Sequence, residues 1–332
     1  MSTTLVQNVR YGFGFLLSLT HLPNGTKVPF MDLKMTTSKD WKCEFKRLDC
    51  AYSPATMRSY YSDVEAFERW CLTRSLRPFP ASVETVCRFL EEQGQSKAPS
   101  TVRRRLYAIR KIHRLLRLPD PTHDEDINLA FRRVRRMRAV RPQQAKGLTL
   151  SHLRRFLAVQ PDTLLGLRNR AVLSLGYELL TRRSELVALR DDDLEIRGDG
   201  TLRVLIRRSK SDQAGAGRLA FTSQRTAELV GEWQASRGSH TDWLFCPVYR
   251  GRAVDRSLES NSVKRVIKET AVKAGFEKAD VDRFSGHSMR VGAAQDLLTR
   301  GVDTVGIMRA GGWKSLTVLA RYLEMAEHNV WG

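Results

Sequence analysis

The last quarter of the chain contains side chains whose types and spacing suit phosphate chemistry. His287 and Arg290 are three residues apart, so on a helix they share one face and can point at a single phosphate. Trp313 and Tyr322 follow within one or two short helices. Tyrosine is a poor nucleophile at neutral pH, and where it does react, the usual target is a phosphodiester whose charge is held by Arg and His. The spacing therefore raises the hypothesis that Tyr322 attacks a DNA phosphate.

Two earlier segments supply further polar side chains. Arg182 and Glu185 lie one helical turn apart, and Lys210 lies in a Ser- and Gly-rich loop after a predicted strand. Taken alone, the Arg–Glu pair is as well explained as a surface ion pair that contributes little to stability. The histidine and the two aromatic residues, each taken alone, are better explained by packing. Their joint occurrence in this order favours a shared reaction centre.

The 332-residue chain is strongly basic. It has 56 Lys and Arg against 36 Asp and Glu, which gives a formal net charge of +20. Such a charge attracts polyanions, so nucleic acid is the leading partner and an anionic membrane surface is the second. No run of residues approaches the roughly 18 apolar positions of a membrane-spanning helix. We therefore expect a nucleic-acid partner and no membrane association.

The cysteine pattern argues against a metal site. Five cysteines are scattered along the chain without a C-x-x-C pair, at Cys43, Cys50, Cys71, Cys87 and Cys246. An odd number at loose spacing favours a reducing compartment and argues against a zinc site. A metal pair formed by Cys43 and Cys50 is the weaker alternative. We expect no metal.

Helix signals between residues 51 and 140 predict a helical bundle. Ser53 followed by Pro54 is typical of a helix start, and apolar residues follow at spacings of three and four. Ser82 and Ser100 predict the starts of a second and a third helix, and Gly94 predicts the end of the second. A fourth helix is expected over residues 124–138. We assign residues 1–50 to a flexible N-terminal arm and residues 51–140 to this bundle.

A second domain follows a short linker. Residues 141–147 contain Pro and Gly without apolar periodicity, which predicts the linker. Residues 148–332 are expected to be mainly α-helical with a small antiparallel β-sheet. Strands are predicted at 202–206 and around 218–221, on either side of the loop that holds Lys210.

The bundle carries many arginines on two successive helices. A charged helix face is usually a solvated surface, but here the charges are of a single sign. Such a surface is typical of proteins that follow a phosphate backbone. The predicted DNA-binding residues are Arg103, Arg104, Arg110, Arg132, Arg133, Arg135 and Arg136.

Three stretches carry a family resemblance. Residues 285–294 (SGHSMRVGAA), 307–313 (IMRAGGW) and 206–211 (IRRSKS) resemble segments of the tyrosine recombinases of the phage integrase family. The resemblance extends from about Tyr52 to Tyr322. It implies an N-terminal helical, SAM-like core-binding domain followed by a tyrosine-recombinase catalytic domain. It also implies a catalytic set of Arg182, Glu185, Lys210, His287, Arg290, Trp313 and Tyr322, where the choice of Arg182 over Arg183 depends on the spacing to Glu185.

The resemblance implies a specific reaction. Tyr322 would displace a 5′-hydroxyl from DNA and form a 3′-phosphotyrosine, with no metal, ATP or other cofactor. Arg182 and Arg290 would hold the non-bridging oxygens through their planar donor groups. Lys210 would protonate the leaving oxygen, and Glu185 would orient its neighbours without reacting. His287 and Trp313 would add hydrogen bonds to the same phosphate.

The same resemblance implies site-specific recombination as the function. The expected assembly is a homotetramer that joins two DNA sites, each with inverted repeats. A bacterial, phage or plasmid origin and a cytoplasmic, nucleoid-associated location follow from it.

Two other functions remain open from the sequence. A type IB topoisomerase or a hairpin telomere resolvase would use the same catalytic residues, although the small bundle favours a recombinase. A non-catalytic DNA-binding or architectural protein is the other alternative. Retention of His287, Lys210 and Tyr322 argues against it.

Overall fold

The chain is mainly α-helical with two small antiparallel sheets among the described residues, which confirms the predicted fold class. This computed structural model describes residues 40–138, 144–207 and 217–326. The chain forms two compact units that divide after Arg141.

The first unit is a helical bundle. Ser53 caps its longest helix, because its hydroxyl accepts a hydrogen bond from the Thr56 N–H at 3.3 Å and Pro54 occupies the first turn. The apolar faces of the helices enclose a core around Phe67, Phe89 and other buried side chains. The helices are α1 (Trp41–Phe45), α2 (Pro54–Leu72), α3 (Val83–Ser96), α4 (Pro99–Leu115) and α5 (Glu125–Met137).

Two helix boundaries in the bundle differ from the predictions. Helix α3 continues past Gly94 to Ser96, because this glycine permits a close helix contact: a Cβ there would lie 2.7 Å from Cγ2 of Val134 on α5. Helix α4 begins at Pro99, and Ala98 precedes it as the capping residue, so Ser100 lies inside its first turn. Proline is well tolerated at that position because its missing N–H is not needed there.

The predicted flexible arm, residues 1–50, includes residues that belong to the bundle. Residues 1–39 lie outside the described residues, but α1 and the 3₁₀ turn after it pack against the bundle. Trp41 and Phe45 are buried with Val64 and Ile112. Three apolar residues in a mostly charged segment gave too weak a pattern to predict this packing.

The second unit contains nine helices and five strands in its described part. Strand β2 lies between β1 and β3, with Ile206 opposite Arg218 at the end of the β2–β3 hairpin where the chain connects the two strands. The helices are α6 (Leu150–Ala158), α7 (Leu164–Glu178), α8 (Arg183–Leu186), α9 (Gln224–Arg237), α10 (Ser260–Lys273), α11 (Lys278–Arg283), α12 (Ser288–Thr299), α13 (Thr304–Gly311) and α14 (Leu316–Leu323). The strands are β1 (Leu194–Ile196), β2 (Leu202–Ile206), β3 (Arg218–Phe221), β4 (Val248–Tyr249) and β5 (Arg252–Ala253).

The described end of the predicted linker packs on the second unit. The Lys146 N–H donates to the Arg283 carbonyl at 3.0 Å, and the Lys146 ammonium lies 2.5 Å from the Asp280 carboxylate. Residues 144–147 are therefore fixed to the second unit by contacts that local sequence does not reveal. Residues 139–143 lie outside the described residues.

Helices α7 and α12 form the frame that positions the site. Asp296 on α12 accepts hydrogen bonds from the Leu150 N–H at 2.6 Å and from the Tyr177 hydroxyl on α7. Burial, followed by the bond to this carboxylate, raises the pKa of Tyr177. The C-terminal end of α7 and the first residue of α6 are thereby held against the C-terminal part of α12.

Candidate active site

Helix α12 places Arg290 inside the second unit. The helix begins directly after His287, and a Cβ on Gly292 would lie only 2.0 Å from the Leu148 carbonyl oxygen. Glycine at this position lets the backbone before α6 approach, and the Leu148 N–H donates to the Ser288 carbonyl at 2.8 Å. Arg290, in the first turn of α12, is fully buried.

The Arg290 guanidinium uses part of its donor capacity on the protein itself. Nη1 donates to the Leu180 carbonyl, while Nε and Nη2 are buried without a hydrogen-bond partner among the described residues. Buried N–H groups without partners are uncommon because their desolvation is not compensated. Burial, followed by the positive charge of Arg182, lowers the pKa of Arg290 to about 10. The group therefore remains cationic at neutral pH.

The carbonyl that holds Arg290 belongs to a residue with strained backbone. Leu180 has a φ of +47°, in the left-handed region that non-glycine residues seldom occupy. This turn directs two successive carbonyls towards arginines. The Leu179 carbonyl accepts Nη2 of Arg218 at 2.6 Å, and Nη1 of Arg218 donates to the Ala310 carbonyl at 2.6 Å. Arg218 thus connects the ends of α7 and α13.

Sequence reasoning did not predict this role for Arg218. Its buried guanidinium has a pKa lowered to about 10, chiefly by burial. Arg218 lies on the same face of β3 as the buried Ala220. That Arg218 faces inward could have been inferred only from the register of this strand.

Trp313 lies directly against the Arg290 guanidinium. The central carbon of the guanidinium is 3.8 Å from the centre of the Trp313 ring system, a cation–π geometry. Gly312 has a φ of +66° and ends α13, and a Cβ on Gly311 would lie 1.9 Å from the indole. The two glycines let the indole fold back over the chain. Its Nε1 is buried and has no partner in the described parts of the chain.

Tyr322 packs edge-on against the indole. Its ring centre is 5.2 Å from that of Trp313 at an interplanar angle of 68°, and 5.9 Å from the Arg290 guanidinium carbon. The side chain is half-buried. Leu319, fully buried, anchors α14 to the core.

Arg182 and Glu185 form the pair that their spacing predicted. Arg182 precedes α8 as its capping residue, and its Nη1 lies 2.5 Å from Oε1 of Glu185. The other carboxylate oxygen accepts the Arg182 N–H at 3.0 Å. Glu185 is buried. The adjacent Arg183 donates to the Asn261 side chain at 2.9 Å.

His287 stands at the entrance to α12, on the solvent side of Arg290. Its ring reaches the surface, yet the protein atoms around it lower its pKa, and the positive charges of Arg183, Arg290 and Arg182 add to this effect. Glu185 acts in the opposite direction. The imidazole is therefore neutral at pH 7 and can accept a proton.

Six of the seven predicted catalytic residues lie in the described part of the chain, and the structure brings them together. Arg182 and Glu185 act electrostatically on both His287 and Arg290, and the two aromatic rings contact Arg290. Lys210, the seventh, lies outside the described residues. Three buried N–H groups without partners converge on this cluster, a donor set that suits an anion with several oxygens.

Two family models match the chain in succession. The model of the N-terminal SAM-like domain of phage integrases matches residues 44–118, and that of the phage integrase family matches residues 146–329, more than half of the chain. The chain belongs to the phage integrase family. This recombinase thus has the two-domain composition that its sequence implied.

Relatives of the recombinase match over most of both chains. An integrase/recombinase XerD homolog of Selenomonas ruminantium is 28% identical over 291 residues, which cover 84% of each chain. Recombinase Cre of Escherichia phage P1 is 28% identical over 290 residues, covering 82% of this chain and 84% of Cre. Together with the family match, these relatives establish a site-specific tyrosine recombinase, a DNA breaking-and-rejoining enzyme.

Solved structures show the same fold. XerH recombinase bound to a palindromic difH substrate, in a post-cleavage complex, aligns with a TM-score of 0.60 at 15% identity over 82% of this chain and 76% of XerH. A lambda integrase dimer bound to a COC′ core site aligns with a TM-score of 0.57 at 16% identity, covering 87% of this chain and 78% of the integrase.

Three of the predicted DNA-binding arginines are engaged within the bundle. Arg104 pairs with the buried Asp63 carboxylate through Nε at 2.6 Å and Nη2 at 3.1 Å. Arg110 donates to the hydroxyl and the carbonyl of Thr122 at 2.8 and 3.1 Å. Arg133 pairs with a glutamate of α3 at 2.7 Å. The prediction of a surface with charges of a single sign is therefore corrected. Carboxylates from neighbouring helices neutralise part of this surface, and the sequence of one helix does not show them.

The other four predicted arginines remain exposed. Arg135 and Arg136 have no ion pair within the described residues. Arg103 donates to the Tyr107 hydroxyl at 2.9 Å, and Arg132 lies 4.0 Å from an exposed glutamate, an interaction of little energy. These four arginines, Arg103, Arg132, Arg135 and Arg136, are available to a phosphate backbone.

Among residues 40–138, 144–207 and 217–326, no group of three or more His, Cys, Asp or Glu side chains could hold a metal ion. None of the described helices has the length and apolar character needed to cross a membrane.

Proposed function

We propose that Tyr322 is the nucleophile of this recombinase and that Arg290 and Arg182 hold the scissile DNA phosphate. One observation carries the proposal: Nε and Nη2 of Arg290 and Nε1 of Trp313 are buried N–H donors without partners in the described structure, beside the Tyr322 ring. A phosphate that accepts these bonds removes the cost of leaving them unpaired. The same donors then stabilise the charge that develops in the transition state.

The proposed first step is an in-line displacement. The Tyr322 oxygen forms a bond to phosphorus while the bond between phosphorus and the 5′-oxygen breaks, which leaves a 3′-phosphotyrosine and a 5′-hydroxyl. Neutral His287 takes the phenolic proton. Lys210, a role that rests on the family resemblance, gives a proton to the leaving oxygen. Atoms and charges balance without a metal or a nucleotide.

Glu185 has a positioning role in this proposal. Its carboxylate fixes both the backbone and the guanidinium of Arg182, and its negative charge offsets part of the positive charge around His287. Because it is buried and bonded to Arg182, it holds the arginine's donor fork in one orientation.

The covalent intermediate makes strand exchange possible without an energy source. A 5′-hydroxyl from a partner duplex can attack the phosphotyrosine and release Tyr322, with one phosphodiester bond conserved throughout. Exchange between two duplexes requires four protomers, so we propose a homotetramer on two sites with inverted repeats. Such a protein acts where the DNA is, in the cytoplasm of a bacterium beside chromosomal, phage or plasmid DNA.

The exposed arginines of the bundle supply the general affinity for DNA. Arg103, Arg132, Arg135 and Arg136 extend from α4 and α5 and can contact phosphates, which gives salt-sensitive binding independent of sequence. Support comes from the fold's neighbours, since the XerH and lambda integrase structures hold their DNA sites.

The experiment is covalent trapping on a nicked suicide substrate. The target is first mapped by sequencing recombination junctions next to the encoding locus. We expect wild-type protein to form a DNA adduct and Tyr322→Phe to form none while its DNA affinity stays within a few-fold. Tyr249→Phe, which alters an exposed tyrosine on β4, is the matched control and should form adducts at the wild-type rate.

Two outcomes would contradict the proposal. Adduct formation by Tyr322→Phe at the wild-type rate would remove Tyr322 as nucleophile. Efficient relaxation of a supercoiled plasmid that lacks the target would indicate a topoisomerase instead of a site-specific enzyme.

A further inference from the structure

Two glutamine side chains converge on the backbone of the nucleophile. The carbonyl oxygen of Tyr322 accepts hydrogen bonds from Nε2 of Gln144 at 3.3 Å and from Nε2 of Gln295 at 3.2 Å. Tyr322 is the penultimate residue of α14, and the last four carbonyls of a helix have no partner within it. The two glutamines, called the amide pair below, supply this missing partner.

The amide pair connects three functional segments. Gln295 is buried on α12, the helix whose first turn contains Arg290. Gln144 comes from the linker, three residues after the first unit ends at Arg141. The Tyr322 carbonyl is thus shared between the phosphate-binding helix and the linker.

The linker residue Gly147 lies close against Gln295. A Cβ on Gly147 would lie 2.2 Å from the side-chain oxygen Oε1 of Gln295. Only glycine leaves room for the amide at its present place. The side-chain oxygen of Gln144 is buried without a partner in the described structure, so this amide is oriented by the bond that it donates to Tyr322.

Helix α14 needs such support because it is short. It has eight residues, and Leu319 is its one fully buried side chain. Helices of this length are marginal without tertiary contacts, and the reacting atoms of an enzyme must be placed to within a fraction of an ångström. A misplacement of about 1 Å can lower a rate about a hundredfold.

We propose that the amide pair sets the position of the Tyr322 side chain and makes DNA cleavage depend on the position of the linker. Gln144 and Gln295 are positioning residues, which do not touch the phosphate. The inference rests on the proposed nucleophile and adds a route by which the linker controls it: a shift of residues 144–147 withdraws one or both amides and lets α14 move.

The test measures single-turnover adduct formation and DNA affinity separately. Gln144→Met and Gln295→Met keep the side-chain length but remove the donor. We expect each to slow adduct formation by about threefold to tenfold, the range of one hydrogen bond, at unchanged DNA affinity. Because either amide alone still holds the carbonyl, the double variant should lose more than the product of the two single losses.

Gly147→Ala tests the placement of Gln295 while keeping both glutamine side chains. Its new methyl group displaces the Gln295 amide, so we expect a slowing comparable to that of Gln295→Met. Gly231→Ala on α9, where a Cβ would meet nothing within 4 Å, is the matched control and should leave the rate unchanged. Gln224→Ala is the control for the glutamines, since Gln224 donates to a backbone carbonyl at 2.7 Å on the surface of the same unit.

A substrate with a 5′-bridging sulfur separates positioning from leaving-group chemistry. The 5′-sulfur is a better leaving group than the 5′-oxygen. This substrate should not restore the rate of the amide-pair variants, because their defect concerns the nucleophile. Full adduct formation by the double variant and by Gly147→Ala would overturn the inference, and so would restoration of their rates by the sulfur substrate. If the double variant does not fold, the single variants decide. If wild-type protein itself forms no adduct, the proposed function fails first.

Discussion

Arginines have opposite environments in the two units of the molecule. In the bundle, the buried Asp63 carboxylate is matched by Arg104 at 2.6 Å and by Arg105 at 3.5 Å. In the catalytic unit, Arg290 is fully buried, no carboxylate contacts it among the described residues, and two of its nitrogens lack partners. Arg104 donates hydrogen bonds to a carboxylate of the protein, whereas Nε and Nη2 of Arg290 have no acceptor among the described residues.

The comparison also holds within the catalytic unit. Arg237 is also buried, although slightly less than Arg290, and it pairs with Asp191 at 2.5 Å and donates to the Trp243 carbonyl. Single buried nitrogens without a hydrogen bond occur elsewhere, at Nε of Arg168 and at Nε of Arg105, which lies 3.5 Å from the Asp63 carboxylate. Arg290 is the one described side chain with two such nitrogens. Two unmatched donors, and not burial alone, therefore distinguish Arg290 from the other buried arginines.

Replacement of Arg290 by lysine should give the largest effect. Arg290→Lys keeps a positive charge but removes the planar fork that addresses two phosphate oxygens. We expect single-turnover adduct formation to fall by about 10²- to 10³-fold, the loss typical of a transition-state donor. Adduct yield per folded molecule is the measurement.

Arg237→Lys is the matched control for a buried arginine. It breaks the pair with Asp191, so the melting temperature should fall, but adduct formation per folded molecule should stay near the wild-type rate. A similar catalytic loss in both variants would mean that any buried arginine supports the reaction, and the comparison would fail.

Replacement of Arg104 should affect stability more than DNA binding. Arg104→Ala leaves the buried Asp63 with only Arg105, so we expect a loss of about 1–2 kcal/mol in the free energy of unfolding. The loss stays small because the Arg104 side chain is 46% exposed and solvent screens part of the interaction. Denaturant unfolding is the measurement.

Arg136→Ala is expected to affect DNA binding more than stability. Stability should change by less than about 0.5 kcal/mol, while the slope of log affinity against log salt should decrease by about 0.9, one phosphate contact. If Arg104→Ala changes the salt slope and Arg136→Ala does not, the assignment of paired and free arginines is wrong.

Sequence reasoning predicted the elements best where a local signal exists. The cap at Ser53 and Pro54 and the strand at 202–206 were correct because the signals lie in the residues themselves. It was wrong where a distant neighbour decides. Gly94 continues its helix because Val134 packs against it, and α1 packs because the rest of the bundle provides a surface.

The candidate site was predictable for a different reason. Its residues were recognised by type and order, and six of them lie together in the structure. The amide pair, Arg218 and the strained turn at Leu180 were not predicted, because each acts through backbone carbonyls that have no sequence signature. The partners of the basic helices were missed because ion pairs between helices join residues far apart in the sequence.

The smallest predicted effect concerns the pH dependence of cleavage. The unmatched positive charge around Arg290 also acts on His287, whose pKa is below the ordinary value of 6.5 because of burial and then Arg183. A lowered pKa keeps the imidazole neutral to lower pH. The second-order rate of adduct formation, which reports the free enzyme, should therefore fall to half of its plateau value at a pH below 6.5.

Arg183 provides a way to move this acid limb. Arg183→Gln removes the second cause of the lowered pKa, so the limb should shift to higher pH, while His287→Asn should lack it. His240→Asn, which alters an exposed histidine of the same unit, should keep the wild-type profile. A wild-type limb at or above pH 6.5 would mean that the positive charges do not govern the imidazole. The charges around His287 would then offset one another, as those of Asp63, Arg104 and Arg105 do in the bundle.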